Sequence, residues 1–190
     1  TQKLAAGLAA VQIQLAEVLA RIASDLRGEP NTQNAADWHE QAVELRNQVL
    51  GLSVQYEDLA KHSKWSPRTN SVELSSLKEL LRSNQIMSAR VLNIANDLRS
   101  ATRSNLNTQI PSVSLSPLAD LLEMAANNLA TDDPTQNLGV TAAHQAVRGA
   151  DMTAQIAFIG GIVSHVNEIN KATTRENDDT GPVKPTPEKS

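Results

Sequence analysis

Four histidines, His39, His62, His144 and His165, are the side chains best suited to metal ligation or proton transfer. No two of them stand four residues apart, so the HExxH arrangement that places two imidazoles on one helix face is absent. His144 and His165 are three heptads apart. On one continuous helix they would share a face but stand about 31 Å apart, too far to hold one ion. A di-iron bundle needs Glu-x-x-His pairs on two helices, and the sequence has none. Glu40, Glu44, Glu57 and Glu73 fall on polar faces, as solvated charges do. The chain has no cysteine, which removes disulfides, thiolate nucleophiles and thiolate-bound zinc. No phosphate-binding glycine loop and no Gly-x-Ser-x-Gly elbow occurs, because Gly160 and Gly161 lack the Lys-Ser or Lys-Thr that would follow. The expectation is a chain that is not an enzyme and carries no cofactor and no metal.

Two features remain. Asn84 is the one polar member of an otherwise apolar seam. It is either a core amide that fixes helix register, or a boundary residue, or a ligand contact inside a bundle. The run Lys64-Trp65-Ser66-Pro67-Arg68 joins an indole, a helix-stopping proline and a guanidinium. Trp65, Pro67 and Arg68 can close the end of a bundle, with Arg68 against a carboxylate or a helix C-terminus. They can equally form a docking patch, since exposed Trp and Arg anchor interfaces. Asn93, Asn96, Asn127 and Asn128 suit either polar recognition or a weakly charged, soluble surface.

The elements that position these residues are helices. Apolar residues make up 40% of the 190 and aromatics only 2%, so the core must be Leu, Ile, Val and Ala, which suits helix packing and not strands. Leu4, Leu8, Val11, Leu15, Val18, Ile22 and Leu26 alternate four and three apart, and Gly28 with Pro30 ends that helix. Trp38, Ala42, Leu45, Val49, Leu52, Tyr56 and Leu59 form the second seam, with Asn34 as expected cap and Pro67 forcing a stop near Lys64. The third opens at Asn70 with Glu73 three residues on, and runs through Leu77, Leu80, Asn84, Met87, Val91, Ile94 and Leu98.

The pattern breaks from Thr102 to Ser116. A short fourth helix is expected with Ser116 as cap and Pro117 at its first position, carrying Leu118, Leu121, Leu122, Ala125 and Leu129 and ending near Thr131. A fifth helix begins at Asp133-Pro134, or at Thr141 if Gly139 delays it, and presents Met152, Ile156, Ile159, Val163 and Val166. Gly160 and Gly161 within it imply a closely approaching neighbour, or else a hinge. The fold class predicted is all-α: an antiparallel up-down helical bundle of four long helices and one short one over residues 1–173. Residues 174–190 are polar and proline-punctuated, a composition expected of a disordered tail.

Net charge is −4 with both signs interspersed, so no basic stripe exists to neutralise phosphates and nucleic acid is not an expected partner. The apolar run Ala154–Val163 is too short to span a bilayer. The chain opens on Thr1 instead of Met, which suggests a piece of a longer or processed protein.

Four stretches together resemble the soluble helical part of the fusaric acid resistance and aromatic acid exporter family. They are the Ala/Leu-rich Leu15–Gly28, Trp38–Leu45 with its Ala42-x-x-Leu45, the turn Trp65-Ser66-Pro67-Arg68, and Ser88–Leu98 (SARVLNIANDL). The sequence departs from the family pattern at Ser66, where Asn is usual, and at Asn96, where a basic residue is common. The likeness covers about residues 4–131. It implies a cytoplasmic helical portion of an inner-membrane exporter of aromatic or other organic acids, with a gating, assembly or regulatory role. Its partners would be the transmembrane portion of the same protein and, in a homo-oligomer, further copies. No substrate-binding residue carries over. Two other readings remain open: the ligand-sensing bundle of a membrane receptor, and a stand-alone helical interaction module.

Overall fold

A computed structural model describes residues 1–64, 71–131 and 140–173 of the chain. Trp65, Pro67, Arg68, the expected caps at Asn70 and Asp133-Pro134, and the tail 174–190 lie outside the described residues. Within them the structure is all-α: α1 (Gln2–Arg27), α2 (Thr32–Ser63), α3 (Ser71–Ser104), α4 (Leu106–Gln109), α5 (Ser112–Thr131), α6 (Val140–Arg148) and α7 (Thr153–Thr173).

Side-chain pairs set the directions of the helices. Arg21 meets Asp37 and Gly7 packs on Leu52, so α1 and α2 are antiparallel. A methyl at Gly7 would come within 3.1 Å of Leu52, which is why a glycine suits this approach. His39 meets Arg99 and Tyr56 meets Leu74, which makes α2 and α3 antiparallel. Gln12 reaches the Leu129 carbonyl and Arg27 reaches Asp120, so α5 runs against α1. Arg90 meets His165 and Met87 meets Thr173, so α7 runs against α3. The short α6 returns along α5, with Ser114 bonded to Ala146. Consequently α7 runs parallel to α5: Gln155 reaches Thr108 near the start of α5, and Asn128 reaches Asn170 near its end.

The α1 seam is buried throughout, as are Trp38, Ala42, Leu45 and Val49 of α2 and Leu77, Met87, Val91, Ile94 and Leu98 of α3. By length and composition α1 is apolar enough to cross a membrane, yet its leucine seam lies in the bundle core. Asn34 does not cap α2. Asn31 does, and Asn34 completes a reciprocal box: each side-chain carbonyl accepts from the other's backbone N–H, at 2.8 and 3.1 Å.

The second half departs more from expectation. α5 starts at Ser112, so Pro117 sits inside it and not at its first position. The Ser114 hydroxyl donates to the Ala146 carbonyl at 2.6 Å, and this buried bond pins an extra turn in front of the proline. The expected fifth helix divides into α6 and α7 around Gly149–Met152. Gln155 explains where α7 restarts. Its carbonyl accepts from the Asp151 and Met152 N–H groups, and its amide donates to Thr108. Gln155 thereby faces inward, and Ile159, Ile162, Val166, Ile169 and Thr173 follow it on the buried face. Met152 and Ile156, expected in the seam, are exposed. A Cβ added at Gly160 or Gly161 would meet nothing within 4 Å, so close helix approach is not the reason for these glycines.

Candidate functional site

Two interruptions far apart in sequence come together at one end of the bundle. Gly28–Pro30 stops α1, and the break after Ser104 turns the chain through α4 into α5. Between them lies a half-open cleft of about 750 Å³. Leu26, Pro30, Leu106 and Leu115 make its apolar part, and Arg27, Glu29, Thr102, Asn105, Asn107, Ser112 and Ser116 its polar part. Its size lies within the range of small-molecule sites.

The geometry of the rim is set locally. Glu29 has φ +58°, a left-handed conformation that costs a non-glycine residue about 1 kcal/mol. The Asn105 side chain accepts from the Asn107 N–H at 3.1 Å and so caps α4. One Arg27 nitrogen donates to both Asp120 and Glu123, each at 2.6 Å. The bond to Asp120 is the main cause of a raised Arg27 pKa, and Glu123 adds to it. The guanidinium is therefore fully charged and already matched by two carboxylates.

None of these cleft residues stands out as a sequence motif. The available signal was the pair of breaks, Gly28–Pro30 and Thr102–Ser116, with no indication in the sequence that they meet.

Asn84, the polar seam residue, is completely buried on α3. Its amide donates to the Leu80 carbonyl one turn back, and its own oxygen has no partner. Asn128 on α5 is buried with an unpartnered oxygen too. A buried acceptor left unpaired costs about 1–3 kcal/mol. Asn84→Leu is therefore expected to raise stability by about 1 kcal/mol in urea unfolding. A loss of stability instead would mean that the oxygen is occupied, as a ligand contact requires.

The histidines do not converge. His144 lies exposed on α6 and His165 on α7, so the separation computed for one continuous helix does not apply. His165 accepts at Nδ1 from Arg90, at 3.1 Å, with its Nε2 3.6 Å from Asp97. His39 accepts at Nδ1 from Arg99, at 3.0 Å. Arginine has no acceptor, so each ring is unprotonated at that nitrogen while the contact lasts. Among the described residues no group of three or more His, Asp or Glu side chains is placed to hold a metal.

Burial, with Arg99 and Arg103 nearby, lowers the His39 pKa below its usual value. Below about pH 6.5 the unfolded chain takes up a proton at this position that the folded chain resists. Stability is thus expected to fall as pH drops through that value. His39→Asn, which keeps an acceptor near the Nδ1 position but cannot titrate, should flatten the slope. Urea midpoints measured above and below that pH, for both chains, check it.

Comparison of the chain with protein-family models, with curated proteins and with solved structures finds no match.

Proposed function

We propose that the chain is a helical, non-enzymatic portion of an inner-membrane exporter of aromatic or other organic acids, lying at the cytoplasmic face and serving gating, assembly or regulation. One observation carries the reading. Three of the four stretches that resemble the exporter family pack against one another in the bundle. Leu15–Gly28 lies on α1, Trp38–Leu45 on α2 and Ser88–Leu98 on α3, and each of these helices contacts the other two. The Trp38 indole N–H donates to Asp25 at 2.8 Å, joining the first stretch to the second. The likeness thus falls on one contiguous frame and not on scattered surface positions.

The test is expression from the complete reading frame. The product should sediment with membranes, resist salt extraction and require detergent. Cells lacking the gene should retain more of an added aromatic acid. A product that stays in the soluble fraction overturns the reading. Solution mass then tells whether copies associate through their exposed helix faces.

A second reading, a ligand-sensing bundle, is favoured by the cleft. A sensor needs a pocket between helices with a few convergent polar groups, and Glu29, Asn105 and Asn107 supply them there.

A further inference from the structure

The cleft is amphipathic, and its charges are unequal. Leu26, Pro30, Leu106 and Leu115 offer an apolar surface to a small ring or alkyl body. Around it Thr102, Asn105, Asn107, Ser112 and Ser116 offer neutral hydrogen-bonding groups. Among the described residues Arg27 is the single cation of the lining, and it is committed to Asp120 and Glu123 at 2.6 Å each. A carboxylate entering the cleft would have to displace two existing partners. Glu29 also lines the cleft, and its backbone is held in a left-handed turn at φ +58°. Backbone strain of this kind concentrates at ligand sites. Counting Glu29, Asp120 and Glu123 against Arg27, the local charge is negative. Helix ends favour neither sign, since α1 and α3 finish at the cleft while α4 and α5 begin there.

We infer that this cleft binds a small amphipathic organic ammonium ion, its apolar body on Leu26, Leu106 and Leu115 and its charged nitrogen at Glu29. The inference deepens the ligand-sensing reading and rests on it. The site is half open, so affinity for a minimal probe is on the order of 1 mM.

The experiment is an amide-resonance titration of the full chain with two probes of like shape and opposite charge, phenethylammonium and 3-phenylpropionate. Phenethylammonium should give saturable shifts confined to residues 26–30, 102–107 and 112–116, and 3-phenylpropionate should not. Glu29→Gln, which keeps size and backbone geometry, should weaken the ammonium probe about tenfold. Asp120→Asn combined with Glu123→Gln frees Arg27, and should shift preference toward the carboxylate probe. An unchanged thermal transition confirms that each variant is folded. Stronger binding of 3-phenylpropionate to the unaltered chain overturns the ammonium assignment while leaving the cleft a ligand site. No saturable shift with either probe overturns both the assignment and the ligand-sensing reading. Full affinity in Glu29→Gln overturns the role given to that carboxylate, and with it the inference.

Discussion

Trp38→Ala should lower the unfolding free energy by about 3–5 kcal/mol, enough in a chain of this size to reduce the melting temperature by roughly 10 °C. The indole is fully buried, and it is the largest buried side chain among the described residues. Tyr56 and Phe158, the other two Trp, Tyr or Phe rings among the described residues, are only partly buried. A buried indole removes some 200 Å² from water, worth about 5 kcal/mol at 25 cal/mol per Å². Its N–H is also committed, at 2.8 Å, to Asp25, which stands 4.0 Å from Arg21. Arg21 continues the chain of contacts to Asp37 at 3.2 Å, and Gln33 donates to Asp37 at 2.9 Å.

Trp38→Phe separates packing from polarity. It keeps most of the apolar contact but leaves the Asp25 carboxylate without its donor, and should cost about 1–2 kcal/mol. Urea unfolding measures both, with lower midpoints and an unchanged slope. A loss below 1 kcal/mol in Trp38→Ala would mean that the α1–α2 turn does not close over this residue. The three-helix frame on which the exporter reading leans would then lose its joint.

The first three helices were readable because each carries its own seam and its own stops. Pro30 and the reciprocal Asn31–Asn34 box define the α1–α2 turn within a few residues, and no distant contact is needed. Only the choice of cap was off, by one turn, because two asparagines three apart serve each other. From Thr102 onward the boundaries depend on long-range bonds. Ser114 adds a turn to α5 by reaching Ala146, thirty-two residues away. Gln155 turns α7 inward by reaching Thr108, forty-seven residues back. Periodicity over Met152–Val166 carries no trace of either bond. A polar side chain that faces inward looks the same in sequence as one that faces out.

The cleft was hidden for a similar reason. Its lining comes from four helices and two connections, and nothing in the sequence links Arg27 to Asp120 until α5 is laid against α1. Asn84 was legible as an oddity, and its burial is now plain. That burial removes the boundary reading and leaves the core amide and the ligand contact. The Arg–His contacts on α3 left no signal at all, since Arg90 and Arg99 lie nine residues apart and their partners lie on different helices.

The other large effect belongs to Gly149, where a side chain has no room. An added Cβ would collide with the Ser114 hydroxyl and lie 2.9 Å from a Val113 methyl. That hydroxyl cannot step aside freely, because it holds the Ala146 carbonyl in a buried bond. Gly149→Ala must therefore either break this bond, orphaning a buried carbonyl, or push α6 off α5. Either route costs about 2–4 kcal/mol. Ser114→Ala alone should cost about 1–2 kcal/mol by removing the same bond. The double variant should cost less than the two losses added together, because deleting the hydroxyl also deletes the main collision; the expected coupling is about 1 kcal/mol. Amide exchange locates the damage. If α6 yields first, protection falls over residues 140–148 while the α1–α3 core keeps its own. Strict additivity in the cycle would place the strain at Val113 and remove Ser114 as the residue that fixes where α5 begins.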